Sequence, residues 1–160
     1  MLRRQEPVGL LIAAAQRGVK LAVRRQSRAL GLTSQQFWFL NAARELPGAT
    51  LGEIARRQHM DAPTASRLAD GLARRGLIKT VPDDRDRRAL HVLLTPAGAR
   101  MAGRIAPLAA SVRSAVVRGM SRRQQDALRA ALRQVLANVE TFAAEADVGG
   151  GRAPDAGGQV

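Results

Sequence analysis

Apolar residues at Val8, Leu11, Ile12, Ala15, Val19 and Ala22 recur at helical spacing with basic residues between them, which predicts a first helix ending near Gly31. The stretch TSQQFWFLNAARELPG opens with Thr33 and Gln36 at capping-box spacing and closes at Pro47-Gly48, a second helix. TLGEIARRQHM repeats the device with Thr50 and Glu53. DAPTASRLADGLARRG then offers Asp61 as N-cap, Pro63 in the first turn and Gly76 as the stop, so short capped helices follow one another.

The period changes after Gly76. LIKTV and ALHVLLT are β-type runs, the second alternating Leu90, Val92 and Leu94 against His91 and Leu93. Between them lie six consecutive charges, Asp83 to Arg88, among Pro and Asp turn formers, so the charges belong at the tip of a β-hairpin in solvent. Thr95-Pro96 starts a further helix with a stripe of Met101, Ile105, Leu108, Val112 and Val116. Ser121, with Gln124 three residues on, starts the last helix, striped by Leu128, Leu132, Val135, Val139 and Phe142. From residue 148 to 160, VGGGRAPDAGGQV lacks apolar periodicity and reads as a disordered tail.

At 160 residues the chain has the size of one domain, and its 2% of aromatics with abundant Ala, Leu and Val suits packed helices. The expected class is mainly α with a small β-wing. Helix, helix, helix, strand, charged tip, strand is the order of a winged helix-turn-helix, which places one helix in a major groove and a hairpin beside it.

The net charge of +13 is almost all arginine, with Lys20 and Lys79 as the lysines. Arginine presents a planar fork that fits phosphates and guanine edges, which favours a nucleic-acid partner. A high-GC genome also inflates Arg, Ala and Gly, so charge does not decide the matter alone. Without cysteine there is no disulfide framework, thiolate metal site or thiol switch. The basic start MLRRQEPVGLLIAAAQRG runs into an amphipathic pattern rather than a signal peptide or membrane span, which implies a cytoplasmic location and no membrane partner.

TLGEIARRQHMDAPTASRLADGLARRGLIKTVPDDRDRRALHVLLTPAG resembles the DNA-binding core of the MarR family of bacterial transcription regulators, whose wing carries Asp-x-Arg and ends in Leu-Thr-x-x-Gly. Those positions are Asp86-Arg87-Arg88 and Leu94-Thr95-Pro96-Ala97-Gly98. The resemblance extends over about residues 6 to 145 and implies a single domain over 1–147. Within it, about 32–95 is the winged helix-turn-helix lobe, and 6–30 with 96–146 are N- and C-terminal dimerisation helices.

By resemblance Arg88 is the wing residue that enters a minor groove, where negative potential is concentrated, with Asp86 orienting it through a charge-assisted pair. Arg85 and Arg87 are placed on phosphates. A charged hairpin that is merely solvated is the plainer alternative. In DAPTASRLADGL, first-turn side chains should face the major groove: Pro63, Thr64 and Arg67 toward bases, Ser66 near a phosphate, with Leu68 and Leu72 in the core. Arg56, Arg57, Arg74 and Arg75 are candidate backbone contacts or solvated faces.

Helix one and the two last stripes each carry an apolar face that so small a domain cannot cover internally, so a homodimer on a pseudo-palindrome is expected, as the resemblance also implies. The family commonly responds to small aromatic or phenolic effectors between the dimer region and the DNA-binding lobe. Phe37, Trp38, Phe39, His59 and Met60 cluster near that junction; Phe37, Trp38, His59 and Met60 are the ligand candidates, against a core role for most of them. His59 and His91 lack metal-ligand spacing and read as ordinary junction or surface histidines, and no metal or cofactor is expected.

No phosphate loop, nucleophile elbow or carboxylate pair in an apolar setting suggests an enzyme. The expected function is a sequence-specific, ligand-responsive repressor binding double-stranded DNA. The alternative is a winged-helix protein that binds DNA with little sequence preference, or acts as a protein-interaction module.

Overall fold

The structure, a computed structural model, describes residues 6–86 and 88–149. Its contacts divide the chain into two compact units, Met1–Val116 and Val117–Val160. The first runs α1 (Val8–Arg28), α2 (Ser34–Glu45), α3 (Leu51–Arg57), α4 (Ala62–Arg74), β1 (Ile78–Pro82), β2 (Leu90–Leu94) and α5 (Pro96–Val116).

The capping chemistry expected from the sequence starts these helices. Thr33 Oγ1 accepts from the Gln36 N–H and Gln36 Oε1 from the Thr33 N–H, both at 3.1 Å, and Thr50 with Glu53 forms the same reciprocal box. Asp61 Oδ1 accepts from the Thr64 N–H at 2.6 Å, with Pro63 in the first turn of α4 where its missing N–H has no intrahelical partner to lose. Gly76, at φ +66, ends α4: its N–H donates to Ala73 O at 2.8 Å and the Leu77 N–H to Leu72 O at 3.0 Å. This double bond pattern with buried Leu72 and Leu77 is a Schellman motif.

α2 lies at the centre of the unit. Phe37, Phe39, Leu40, Asn41, Ala42 and Ala43 are all buried, so the helix is covered on nearly every side, which is why its sequence is apolar without a clean stripe. Phe37, Phe39 and Leu40 share one core with Val23 of α1, Ile54 of α3, Leu72 of α4, Val92 of β2 and Ile105 of α5. Truncating either phenylalanine to Ala would cost about 3–5 kcal/mol.

The Met101 stripe of α5 corrects one expectation. It is not a spare apolar face: Ile105 and Val112 are buried, Met101 and Leu108 are packed against the same core, and Val116 is left exposed. Ala102 and Ala109, both buried, are small residues on the helix that packs against α1 and α2, while Gly98 lies against the Leu77 backbone.

β1 and β2 pair antiparallel, Ile78 opposite Leu94 and Pro82 opposite Leu90, and the Asp83 N–H donates to Ala89 O at 2.9 Å to close the turn. On its other edge β2 takes one bridge, Thr50 opposite His91, with the Val92 N–H donating to Ala49 O at 2.9 Å. The wing is thereby attached to the loop between α2 and α3.

The second unit is α6 (Arg122–Gly149), started by a Ser121–Gln124 capping box. Leu128, Leu132, Leu136, Val139 and Phe142 are exposed on it, with Val135 half-buried. The helix continues through Gly149, into the segment whose composition reads as a tail; residues 150–160 of that expected tail lie outside the described residues. Among the described residues no helix is long and apolar enough to cross a membrane.

Candidate nucleic-acid interface

The Asp61 cap fixes the entry of α4, and the helix period then sorts its side chains. Ala65, Ala69 and Leu72 are buried and Leu68 packs on the core, as expected, while Pro63, Ser66 and Arg67 are exposed and Thr64 is half-buried. Arg67 Nη2 donates to Thr64 Oγ1 at 3.2 Å. Asp61 caps the helix before Arg67 and Asp70 lies exposed one turn beyond it, so carboxylates flank the arginine along α4.

At the wing tip Asp83 organises the backbone. Its Oδ1 accepts from the N–H groups of Arg85 at 2.8 Å and Asp86 at 2.9 Å, while Oδ2 stands 2.7 Å from His91 Nε2. The Asp86 backbone bond foremost, then the His91 contact and the Arg85 bond, lower the Asp83 carboxyl to about 2. Asp86 differs from expectation. Its Oδ1 accepts from the Arg88 backbone N–H at 3.0 Å, so it shapes the turn beneath Arg88 and no Asp86–Arg88 side-chain ion pair forms. The short Asp side chain reaches the backbone two residues on more easily than the far end of a long guanidinium. Arg85 and Arg88 are exposed. Arg87 lies outside the described residues.

A groove of about 440 Å³ brings these elements together, lined by Arg56 of α3, Ser66 of α4 and Asp86 and Arg88 of the wing among others. Arg74 is exposed at the far end of α4. Arg75 is turned elsewhere: its Nη1 donates at 3.2 Å to Gln36 Oε1 in the α2 capping box. Arg57 Nη2 stands 3.9 Å from Glu45 Oε2, and Arg113 Nη1 of α5 donates to Glu45 Oε1 at 3.0 Å. Burial raises the Glu45 carboxyl, but the Asn41 amide, Arg113 and Arg57 together outweigh it and hold the group below the ordinary carboxylate value.

A second groove, of about 850 Å³, lies along α1 against the start of α2 and the α3–α4 turn. Trp38, His59 and Met60 line it, as expected of ligand candidates; Phe37 does not. Phe37 is fully buried, with its ring 5.3 Å from that of Trp38 at 90°, and belongs to the core. Sequence reasoning missed the polar wall, which is Lys20, Arg24 and Arg28 of α1. Their spacing of four was visible, but which helix face meets α2 is decided by packing. Among the described residues no carboxylate lines this groove. Among the described residues no group of three or more His, Cys, Asp or Glu could hold a metal ion.

Residues 30–89 match the sequence profile of the MarR family. Among solved structures, the transcriptional regulator PA3341 is similar at 35% identity, with a TM-score of 0.68 over 84% of this chain and 99% of that one. BpsR of Bordetella bronchiseptica, whose DNA binding is regulated by 6-hydroxynicotinic acid, is 24% identical with a TM-score of 0.70 over 84% of this chain and 96% of its own. A cysteine-to-serine mutant of MarR from Escherichia coli, complexed with operator DNA, is 23% identical with a TM-score of 0.68 over 81% and 94%. No curated protein sequence matches the chain.

Proposed function

The chain belongs to the MarR family of winged-helix transcriptional regulators, which bind DNA and are not enzymes, and from that premise we propose that it is a sequence-specific, ligand-responsive repressor. It binds a pseudo-palindromic operator as a homodimer, in the cytoplasm with the chromosome. The observation that supports this reading is one groove lined by Ala62 and Ser66 of α4 and by Asp86 and Arg88 of the wing; Pro63, Thr64 and Arg67 do not line it.

Pro63, Thr64 and Arg67 read base edges in the major groove: Thr and Pro methylene or methyl groups suit a thymine methyl, and the Arg fork suits guanine. Ser66, Arg74 and Arg85 serve phosphates, and Arg88, on a turn shaped by Asp86, enters the adjacent minor groove. Arg87 is assigned to a phosphate by its place in the motif. Arg75, held by Gln36, reaches a phosphate only at the cost of that bond.

The residues from 32 to 95 form the reading lobe, and 6–30 with 96–146 the dimerisation helices. Exposed Leu10, Leu11 and Leu21 on α1, and Leu132, Leu136 and Phe142 on α6, supply apolar surface for that association. Two recognition helices would then meet successive major grooves, roughly 34–36 Å apart.

The groove along α1 supports a small aromatic or phenolic acid as effector. Trp38, Met60 and Val23 give an apolar floor, and Lys20, Arg24 and Arg28 attract a carboxylate. BpsR, controlled by an aromatic acid, lends this class support. The effector acts by favouring a dimer geometry that no longer fits both grooves.

Footprinting on an enriched duplex tests the reading. Two protected segments about one helical turn apart are expected; uniform protection on any sequence contradicts it.

A further inference from the structure

His91 makes two contacts that join distant parts of the first unit. Its Nδ1 is 2.7 Å from Gly48 O in the α2–α3 loop, and its Nε2 is 2.7 Å from Asp83 Oδ2 at the wing tip. A backbone carbonyl and a carboxylate can only accept. Each ring nitrogen must therefore donate, and only the doubly protonated imidazolium carries two N–H groups.

We propose that His91 is a positioning residue whose imidazolium fastens the wing to the α2–α3 loop, so that the wing holds its arginines for DNA while the ring is charged and loosens when the ring loses its proton. The proposal rests on the DNA-binding reading above.

The path from ring to DNA is continuous. Asp83, gripped through Oδ2, uses Oδ1 to hold the Arg85 and Asp86 N–H groups, and Asp86 in turn holds the Arg88 N–H. Beside the ring the backbone supplies one bridge among the described residues, Thr50 to His91 with the Val92 N–H on Ala49 O, and buried Val92 anchors the base of β2, while the imidazole bonds reach on to the wing tip at Asp83. Loss of the proton has a second consequence of the same sign. Asp83 keeps its charge, and an uncompensated carboxylate then stands at a surface meant for phosphates.

The charges that act most on the ring are two acids, Asp83 just beyond β1 and Glu53 of α3, and Arg56 of α3 acts in turn on Glu53. The Asp83 bond foremost, then Gly48, raises the histidine above its ordinary value against an opposing effect of desolvation. The clamp is thus complete at and below the ordinary histidine range and is lost as pH rises through the raised value. Its acid limit comes from Asp83, whose contribution is lost only as pH falls toward about 2.

The experiment measures DNA affinity by fluorescence anisotropy at fixed ionic strength across the histidine range, beside NMR titration of the two histidines in the full chain. The wild type should lose affinity by up to about tenfold per pH unit above the His91 titration. His91→Ala should bind weakly with a flat profile. Asp83→Asn is the decisive variant: its Oδ1 keeps the two backbone N–H groups while its amide donates to Nε2 of a neutral ring. It should retain binding, lose the pH dependence, and let His91 titrate at lower pH. A wild-type pH profile in His91→Ala, or an unchanged His91 titration in Asp83→Asn, would overturn the proposal. Absence of DNA binding at every pH, with the His91–Asp83 coupling intact by NMR, would instead overturn the DNA-binding reading and the role in DNA with it.

Discussion

Arg67 Nη2 donates to Thr64 Oγ1 at 3.2 Å, so half-buried Thr64 and exposed Arg67, two side chains proposed to read bases, hold each other near the start of α4. The hydroxyl restricts a long guanidinium before DNA arrives, and less rotamer freedom is then lost on binding. Arg67→Ala should cost about 1–3 kcal/mol on the preferred duplex and relax the choice of base there, with a smaller loss on random DNA. Thr64→Val, which keeps the shape and removes the acceptor, should cost less, and the double variant should lose less than the sum. Anisotropy titrations on preferred and random duplexes check this; equal losses for Arg67→Ala on both would remove the base-reading role.

Arg88 should behave differently because its proposed partner is the electrostatic potential of a minor groove. Arg88→Ala is expected to weaken binding to all sequences alike and to lower the slope of log affinity against log salt by about one unit. A loss confined to one sequence, with an unchanged slope, would move Arg88 to direct base contact.

Gly98 tests the attachment of α5 to the wing. A Cβ there would overlap the Leu77 carbonyl oxygen and stand 2.8 Å from its carbonyl carbon, both backbone atoms that cannot turn away. Leu77 O also accepts from the Thr95 N–H at 3.1 Å, while Thr95 Oγ1 donates to Gly76 O at 2.6 Å, so the contact lies at a fixed corner. Gly98→Ala should destabilise by about 1–3 kcal/mol or more, read as a lower midpoint of chemical unfolding. An unchanged midpoint would mean the corner yields.

Trp38 is the chain's one tryptophan and lines the α1 groove, so its fluorescence reports occupancy there. Salicylate-like aromatic acids should perturb it, their uncharged amides much less, and Arg24→Ala should weaken the acid about fivefold or more, the loss of one charge-assisted bond. Identical titrations by acid and amide would remove the cationic wall from the account.

Much of this architecture was legible in local patterns. The capping boxes at Thr33–Gln36, Thr50–Glu53 and Ser121–Gln124 mark helix starts because both partners sit three residues apart, and the charged tip between two β-type runs marks the wing. What was not legible depends on residues far apart. His91 meets Gly48 across 43 positions and Arg113 meets Glu45 across 68, and neither pairing leaves a periodic trace. His91 therefore read as an ordinary histidine, and the Met101 stripe as a spare face, because coverage by α1 and α2 is a property of packing. Asp86 read as an ion-pair partner because sequence spacing does not separate a bond to the Arg88 backbone from one to its guanidinium.

The central claim, a sequence-specific dimeric regulator, is tested most directly by selecting genomic fragments with the purified protein at near-physiological salt and sequencing what is retained. The account predicts enrichment of one inverted repeat with half-sites about a helical turn apart, lost in the Arg67→Ala variant. Retention of fragments without a shared motif, by wild type and variant alike, would contradict it and leave a general DNA binder.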